Sequence, residues 1–205
     1  RPYVIFGEET HSYAEVAALS RRMAAGLAQL GVLKGDNVAI IMANFVEFVA
    51  LKFAISRLGA TCVPVNFLNR RDELGYVLKQ SDAVLLVTMD RFRGLDYLKA
   101  LDELMPGWEA SGGGDAFPRL NNVVVFRASE EAQRADATPF SALTSDSEAF
   151  EASHRPDPRS ISDGAHMLFM AKNLERIGDH CTNIAEFVFF QITGENLVQQ
   201  DRPKQ

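Results

Sequence analysis

Residues 38–65 read VAIIMANFVEFVALKFAISRLGATCVPV, and this stretch decides the fold. Val38–Met42 is a continuous apolar run of the kind buried on both faces of a parallel sheet, so it predicts a core strand. Asn44 and Glu47 have the spacing of a capping box, which predicts the start of a helix. Gly59 ends that helix, and Thr61–Val65 predicts a second strand. The stretch is therefore a strand-helix-strand unit.

A hairpin and an amphipathic helix are predicted upstream of this unit. Tyr3–Phe6 and Thr10–Ser12 are two short β-rich runs separated by a turn. Ser12 and Glu15 again have capping-box spacing, and Gly31 supplies the helix stop. Between them, apolar residues recur at steps of three and four and form one stripe, namely Val16, Leu19, Met23, Leu27 and Leu30.

The alternation of helices and strands continues downstream. Asn69 and Asp72 open a third predicted helix, and Val84–Thr88 predicts another buried strand. Leu95–Leu104 predicts a fourth helix, and Val123–Phe126 predicts a further strand. Alternating elements of this kind predict an α/β layer with a mostly parallel sheet.

The last part of the chain no longer shows the alternation of helix and strand patterns. Gly112–Gly114 predicts a flexible link, and the polar stretch Arg127–Arg159 predicts mostly loop. One long helix of about 30 residues follows, with Gly194 as its stop. Its apolar stripe is Met167, Met170, Leu174, Ile177, Cys181, Ile184, Val188 and Ile192. We predict three regions: an α/β part over 1–126, a polar loop and junction over 127–163, and a helix with its tail over 164–205.

Composition excludes several classes of protein. A net charge of -6 and a pI near 5.3, with no basic run, argue against a nucleic-acid partner. Cys62 and Cys181 are far apart among apolar residues, which favours free thiols and a cytoplasmic location. We expect no membrane span and no signal peptide, because no uninterrupted apolar run of about 20 residues exists. Arg1 stands close to the first strand, so a segment upstream of Arg1 is expected.

Six short motifs follow one another along the first part of the chain: SYAEV (12–16), LGVLKGDNVA (30–39), Asn44 with Glu47, LGA (58–60), PVN (64–66) and ELGYVL (73–78). In this order and spacing, the first 163 residues or so resemble the N-terminal region of the acyl-CoA synthetase and AMP-dependent ligase superfamily. YL (97–98), LMPG (104–107) and FPRL (117–120) are also similar to this family. The resemblance implies a truncated synthetase α/β layer, whose matched residues are scaffold.

Members of that superfamily activate a carboxylic acid with ATP through an acyl-adenylate. The resemblance implies that a phosphate loop rich in Ser, Thr and Gly should follow residues 157–163. Residues 164–172 instead read GAHMLFMAK, which cannot form an anion-binding nest. The later adenine-binding and catalytic-lysine motifs have no counterpart before the chain ends. We therefore expect no catalytic residue, no ATP or CoA site, and no ligase activity.

The predicted C-terminal helix contains the motifs LFMAKNLERIGDH (168–180) and CTNIAE (181–186), and TGE (193–195) closes it. Through these motifs the chain from about Asp157 resembles the C-terminal end of PhoU, a regulator of bacterial phosphate uptake. The resemblance implies one Glu-x-x-x-Asp metal motif, formed by Glu175 and Asp179. Asn183 continues the same helix face and is the third candidate metal ligand.

Two interpretations of this acidic face stay open. It is either a weak site for iron or another divalent metal, or a solvated face with Lys172 and Arg176 as counter-charges. His180 is one position off the face and is expected to pack or to hydrogen-bond, and His166 and His11 are weaker candidates still.

The sequence therefore predicts a chimera of two families, joined between about residues 157 and 166. One hypothesis is a non-catalytic fusion, and a second is a regulatory module that docks a phosphate-uptake partner or self-associates through its C-terminal helix. A working acyl-CoA ligase is the third, and the missing phosphate loop argues against it.

Overall fold

The computed structural model of the protein describes residues 1–129 and 134–144. Its strands are β1 Pro2–Phe6, β2 Glu9–Ser12, β3 Asn37–Ile41, β4 Thr61–Pro64, β5 Leu85–Met89, β6 Arg91–Phe92, β7 Leu95–Asp96, β8 Asn122–Phe126 and β9 Thr138–Pro139. Its helices are α1 Tyr13–Gln29, α2 Val46–Arg57, α3 Arg71–Ser81, α4 Tyr97–Leu104 and α5 Trp108–Ser111, with a 3-10 helix over Phe140–Leu143. The long helix predicted after residue 164 lies outside the described residues.

A parallel sheet with the strand order β4-β3-β5-β8-β9 forms the centre of the fold. β3 lies between two neighbours, so Val38 is in register with Cys62 on one side and with Leu85 on the other. Ile40 and Leu86 are completely buried, as a strand covered on both faces requires. The predicted α/β fold with a parallel sheet is confirmed.

The chain reverses its direction across the sheet between β3 and β5. It runs from β3 through α2 to β4, then returns past β3 through α3 to reach β5 on the other side. Right-handed crossovers place α2 and α3 on opposite faces of the sheet. α1 packs against α2, and α4 packs against α3. In doubly wound sheets, ligands bind where the strand order reverses, at the carboxyl ends of the strands.

Pro64 lies on β4, at the edge of the sheet formed by the described residues, where it affects pairing with a further strand. The Thr61 and Val65 N–H groups both donate to β3 or to the turn before it, at 2.7 and 2.8 Å. Alternation along the strand then points the backbone nitrogens of Cys62 and Pro64 away from the sheet. Pro64 has no N–H, so this edge lacks one of the donors that a further strand needs.

The predicted capping box at the start of α1 is confirmed. The Glu15 N–H donates to Ser12 Oγ at 3.3 Å, and the Ser12 N–H donates to Glu15 Oε2 at 2.7 Å. The Ser12 backbone and hydroxyl groups hold the pKa of Glu15 below its ordinary value. Gly31 follows the helix with φ +85°, as a glycine stop requires.

The caps predicted for the next two helices are wrong. α2 has Phe45 at its N-cap without a side-chain hydrogen bond, and Asn44 is exposed. The Phe45 N–H donates to the Ala43 carbonyl at 2.8 Å, so a tight turn starts the helix one residue later than predicted. α3 starts after Arg70, whose N–H donates to Glu73 Oε2 at 2.7 Å.

Asn69 belongs to the turn that precedes α3, and it does not cap the helix as predicted. Its N–H donates to the Asn66 carbonyl at 3.0 Å. The Asn66 side-chain oxygen accepts from the Leu68 N–H at 2.9 Å, as in an Asx turn.

Two predictions after β5 also need correction. The predicted fourth helix begins at Tyr97, because Leu95–Asp96 is a strand paired with Arg91–Phe92. Asp96 is its N-cap and accepts from the Lys99 N–H at 2.9 Å.

The predicted flexible glycine link is instead a packed turn after α5, in which Gly112 and Gly113 are buried. A Cβ at Gly112 would lie 2.3 Å from the Leu120 carbonyl oxygen. A Cβ at Gly113 would lie equally close to the Phe117 carbonyl oxygen. Only glycine allows the backbone to approach this closely.

The stretch predicted as loop after Arg127 contains structure. Residues 138–139 add β9 to the sheet, and the 3-10 helix packs against α1. Leu143 is completely buried there, and its backbone lies so near Gly26 that a Cβ on Gly26 would stand 2.4 Å from the Leu143 Cα. β9 and the 3-10 helix were not predicted because they are ordered by packing, which leaves no local sequence period.

Candidate functional site

Phenylalanine side chains occupy the point where the strand order reverses. Phe45 follows β3, and its ring centroid lies 4.9 Å from that of Phe126 at the end of β8. It lies 6.0 Å from that of Phe92, just beyond β5. Further ring contacts extend the group, and the aromatic cluster comprises Phe6, Phe45, Phe67, Phe92, Phe126 and Phe140. The region where a doubly wound sheet offers a ligand crevice is therefore lined by apolar rings.

Backbone groups beside the aromatic cluster are also engaged. The buried Ala43 N–H, just past β3, points at the Met89 sulfur at 3.4 Å. The Thr88 hydroxyl is fully buried and donates to the Met89 carbonyl at 3.0 Å. Phosphate sites at such edges use free N–H groups and hydroxyls. Both groups here already have intramolecular partners.

Asp90 is the polar residue at the carboxyl end of β5. Its Oδ1 accepts from the Arg91 N–H at 2.6 Å and from the Ala128 N–H at 2.8 Å. Its Oδ2 accepts from the Ser129 hydroxyl at 2.7 Å. Both carboxylate oxygens thus tie the segment after β5 to the segment after β8. The sequence held one usable signal for Asp90, a charged residue directly after a buried strand, and our sequence reasoning missed it.

An open cleft of about 230 Å³ lies beside Asp90. Its lining residues are Asp90, Arg91, Asp96, Leu98, Lys99, Asp102 and Arg134. Arg91 forms an ion pair with Asp96 across the small hairpin. Partial burial disfavours the charge on Asp96, but the Lys99 N–H and the Arg91 guanidinium outweigh burial and hold the pKa of Asp96 below its ordinary value.

Arg134 closes the far side of the cleft and binds three carboxylates. It donates to both Asp102 oxygens at 2.8 and 3.0 Å and forms an ion pair with Glu109. Asp136 is a more distant ion-pair partner, 3.8 Å away. The hydrogen bonds that Arg134 donates to Asp102 are the main reason that the pKa of Arg134 is raised.

Trp108 joins Arg134 to the rest of this network. The guanidinium lies 5.4 Å from the Trp108 ring centroid, and Trp108 Nε1 donates to Asp102 Oδ1 at 3.0 Å. The two arginines of the cleft, Arg91 and Arg134, are therefore each paired with a carboxylate that also lines it. This arrangement fastens residues 134–144 to α4 and α5, which is a structural role.

Cys62 is half-buried on β4 and is a free thiol, as predicted. Burial raises the pKa of its thiol to about 11. At neutral pH Cys62 is therefore protonated and a poor nucleophile. Cys181 lies outside the described residues.

The predicted metal ligands Glu175, Asp179 and Asn183 also lie outside the described residues, as do His166 and His180. His11 is described, and its Nε2 lies 3.4 Å from Glu9 on the hairpin. Within residues 1–129 and 134–144, no three His, Cys, Asp or Glu side chains are grouped to hold a metal ion. In the same ranges, no helix combines the length and the apolar character needed to cross a bilayer.

Comparison with known families identifies the larger part of the chain. The model of a family described as AMP-binding enzyme matches residues 1–168. The chain belongs to this family. YngI of Bacillus subtilis (strain 168), an acyl-CoA synthetase by name, is 37% identical over 118 residues, which are 56% of this chain and 22% of YngI.

Solved structures agree with that assignment at the level of fold. The R395G mutant of Coronafacic Acid Ligase from Pectobacterium brasiliense superimposes with a TM-score of 0.58 at 18% identity. The match covers 71% of this chain and 26% of the ligase. Its identity is low enough that the likeness speaks for the α/β fold alone.

A separate stretch of the chain is similar to a different protein. The Phosphate-specific transport system accessory protein PhoU homolog of Caulobacter vibrioides (strain NA1000 / CB15N) is 65% identical over 48 residues, which are 23% of this chain and 20% of that protein. The predicted combination of a synthetase-like part with a PhoU-like part is confirmed. The chain spans about a fifth of the length of the curated relatives it matches.

Proposed function

We propose that the synthetase-like part is a folded scaffold that does not activate a carboxylic acid, within a fusion to a PhoU-like segment. The observation that carries this proposal is the aromatic cluster in the crevice where the strand order reverses. The engaged Ala43 N–H and Asp90 carboxylate support it, since neither is free for a nucleotide or its metal. The sequence GAHMLFMAK at 164–172 supports it as well, in place of a phosphate loop.

ATP is expected to leave the thermal stability of the chain unchanged. A site with a Kd of about 0.5 mM would raise the free energy of unfolding by about 1.4 kcal/mol at about 5 mM ATP, because only the folded state would bind. The measurement is calorimetric unfolding with and without ATP and Mg²⁺, alongside pyrophosphate release with a panel of carboxylic acids. A full-length AMP-forming ligase serves as the positive control. Carboxylate-dependent pyrophosphate release by this chain would refute the scaffold proposal and favour the ligase alternative.

A second function is favoured by the 65% identity to the PhoU homolog. We propose that the PhoU-like segment is a regulatory module that binds a component of the phosphate-uptake system. Glu175, Asp179 and Asn183 would supply oxygen ligands for iron or another divalent cation. One such motif offers few ligands, so weak metal binding is proposed and no ATP or CoA is required.

Replacing the two acidic candidates together tests the metal proposal. Glu175→Ala with Asp179→Ala should weaken binding of Fe²⁺ or Mn²⁺ at least tenfold, because two of three proposed ligands are lost. Isothermal titration of the full chain under anaerobic conditions measures it. Glu8→Ala with Asp115→Ala is the control, since it removes the same charge from two exposed positions of the synthetase-like part. Equal affinities for both double variants would eliminate the site.

We also propose that the apolar stripe from Met167 to Ile192 mediates self-association. Sedimentation velocity should show a dimer whose fraction rises with concentration. Ile184→Glu, within the stripe, should return the chain to a monomer, because a charge would have to be buried. Thr182→Glu, off the stripe, should leave the dimer intact. A wild-type chain that stays monomeric at all concentrations would contradict the proposal.

A further inference from the structure

We draw no further inference here: the strongest candidate, the exposed apolar patch that Tyr13 of α1 and Phe53 of α2 form around Tyr3 of β1, carries nothing because no group in residues 1–129 and 134–144 shows what covers it.

Discussion

Replacing Gly26 with alanine is expected to destabilise the synthetase-like fold by about 2 kcal/mol, although alanine is the better helix former. In the middle of a helix, Gly to Ala normally stabilises by up to about 1 kcal/mol. At Gly26 the new Cβ would meet the Leu143 backbone at 2.4 Å. Backbone atoms cannot rotate away, so the 3-10 helix would have to move off α1, and overpacking of this kind costs roughly 1–3 kcal/mol.

Gly75→Ala is the matched control for this substitution. Gly75 also lies within a helix, α3, but its added Cβ would meet the Leu104 Cδ2 atom at 2.9 Å. A leucine methyl group at the end of a flexible side chain can shift at little cost. Urea unfolding should therefore show that the two substitutions change the free energy of unfolding with opposite signs, or by amounts that differ by at least about 2 kcal/mol.

Hydrogen exchange separates the two ways in which Gly26→Ala can act. Loss of protection confined to residues 138–143 would show that the 3-10 helix and β9 detach from a folded core. A wild-type stability for Gly26→Ala would contradict the packing of Leu143 against α1.

Removing the Arg134 guanidinium is expected to cost about 2 kcal/mol through the carboxylate that it leaves behind. The Glu109 side chain is only 8% exposed, whereas Arg134 is 35% exposed. Breaking a fully buried ion pair costs roughly 3–5 kcal/mol, and partial exposure of Arg134 reduces that figure. Arg134→Met keeps the apolar stem over Trp108 and removes the charge, so it isolates the electrostatic loss.

A double-mutant cycle makes the Arg134 prediction specific. Adding Glu109→Gln to Arg134→Met should recover about 1 kcal/mol, because the unpaired charge is removed together with its partner. Asp136→Asn is the control, since Asp136 is 65% exposed and lies 3.8 Å from Arg134, and it should change stability by less than about 0.5 kcal/mol. Additive effects of Arg134→Met and Glu109→Gln would show that the pair is not coupled.

The sheet and the first helix could be predicted because their signals are local. The apolar run at Val38–Met42 indicates a strand, and the Ser12 and Glu15 capping box indicates a helix start, each within a few neighbouring residues. Their boundaries in the structure differ from the predicted ones by one or two residues, as hydrogen-bond definitions allow.

Other elements could not be predicted because tertiary contacts order them. The hairpin of β6 and β7 turns at Arg93 and Gly94, which both have positive φ. Arginine is rare in that conformation, so the pair gave no turn signal. β9 has only two residues, one of them Pro139, and it is positioned by β8 and by the anchoring of Arg134.

The sequence indicated the strands that frame the candidate site better than the side chains that line it. Phe45, Phe92 and Phe126 are separated by tens of residues, and only the strand order brings their rings together. Arg134 and Glu109 are likewise 25 positions apart in the sequence, and their pairing is visible only in the folded chain. Glu175 and Asp179 are only four positions apart in the sequence, so proposing them as candidate ligands required no such assembly.

The proline at the rim of β4 limits how copies of this protein can join. A strand of a neighbouring molecule that paired with β4 would find the Pro64 ring where a backbone N–H donor is needed. Pro64 therefore disfavours edge-to-edge aggregation of sheets through β4. A contact between molecules at that border would therefore draw more of its free energy from side chains than from backbone hydrogen bonds.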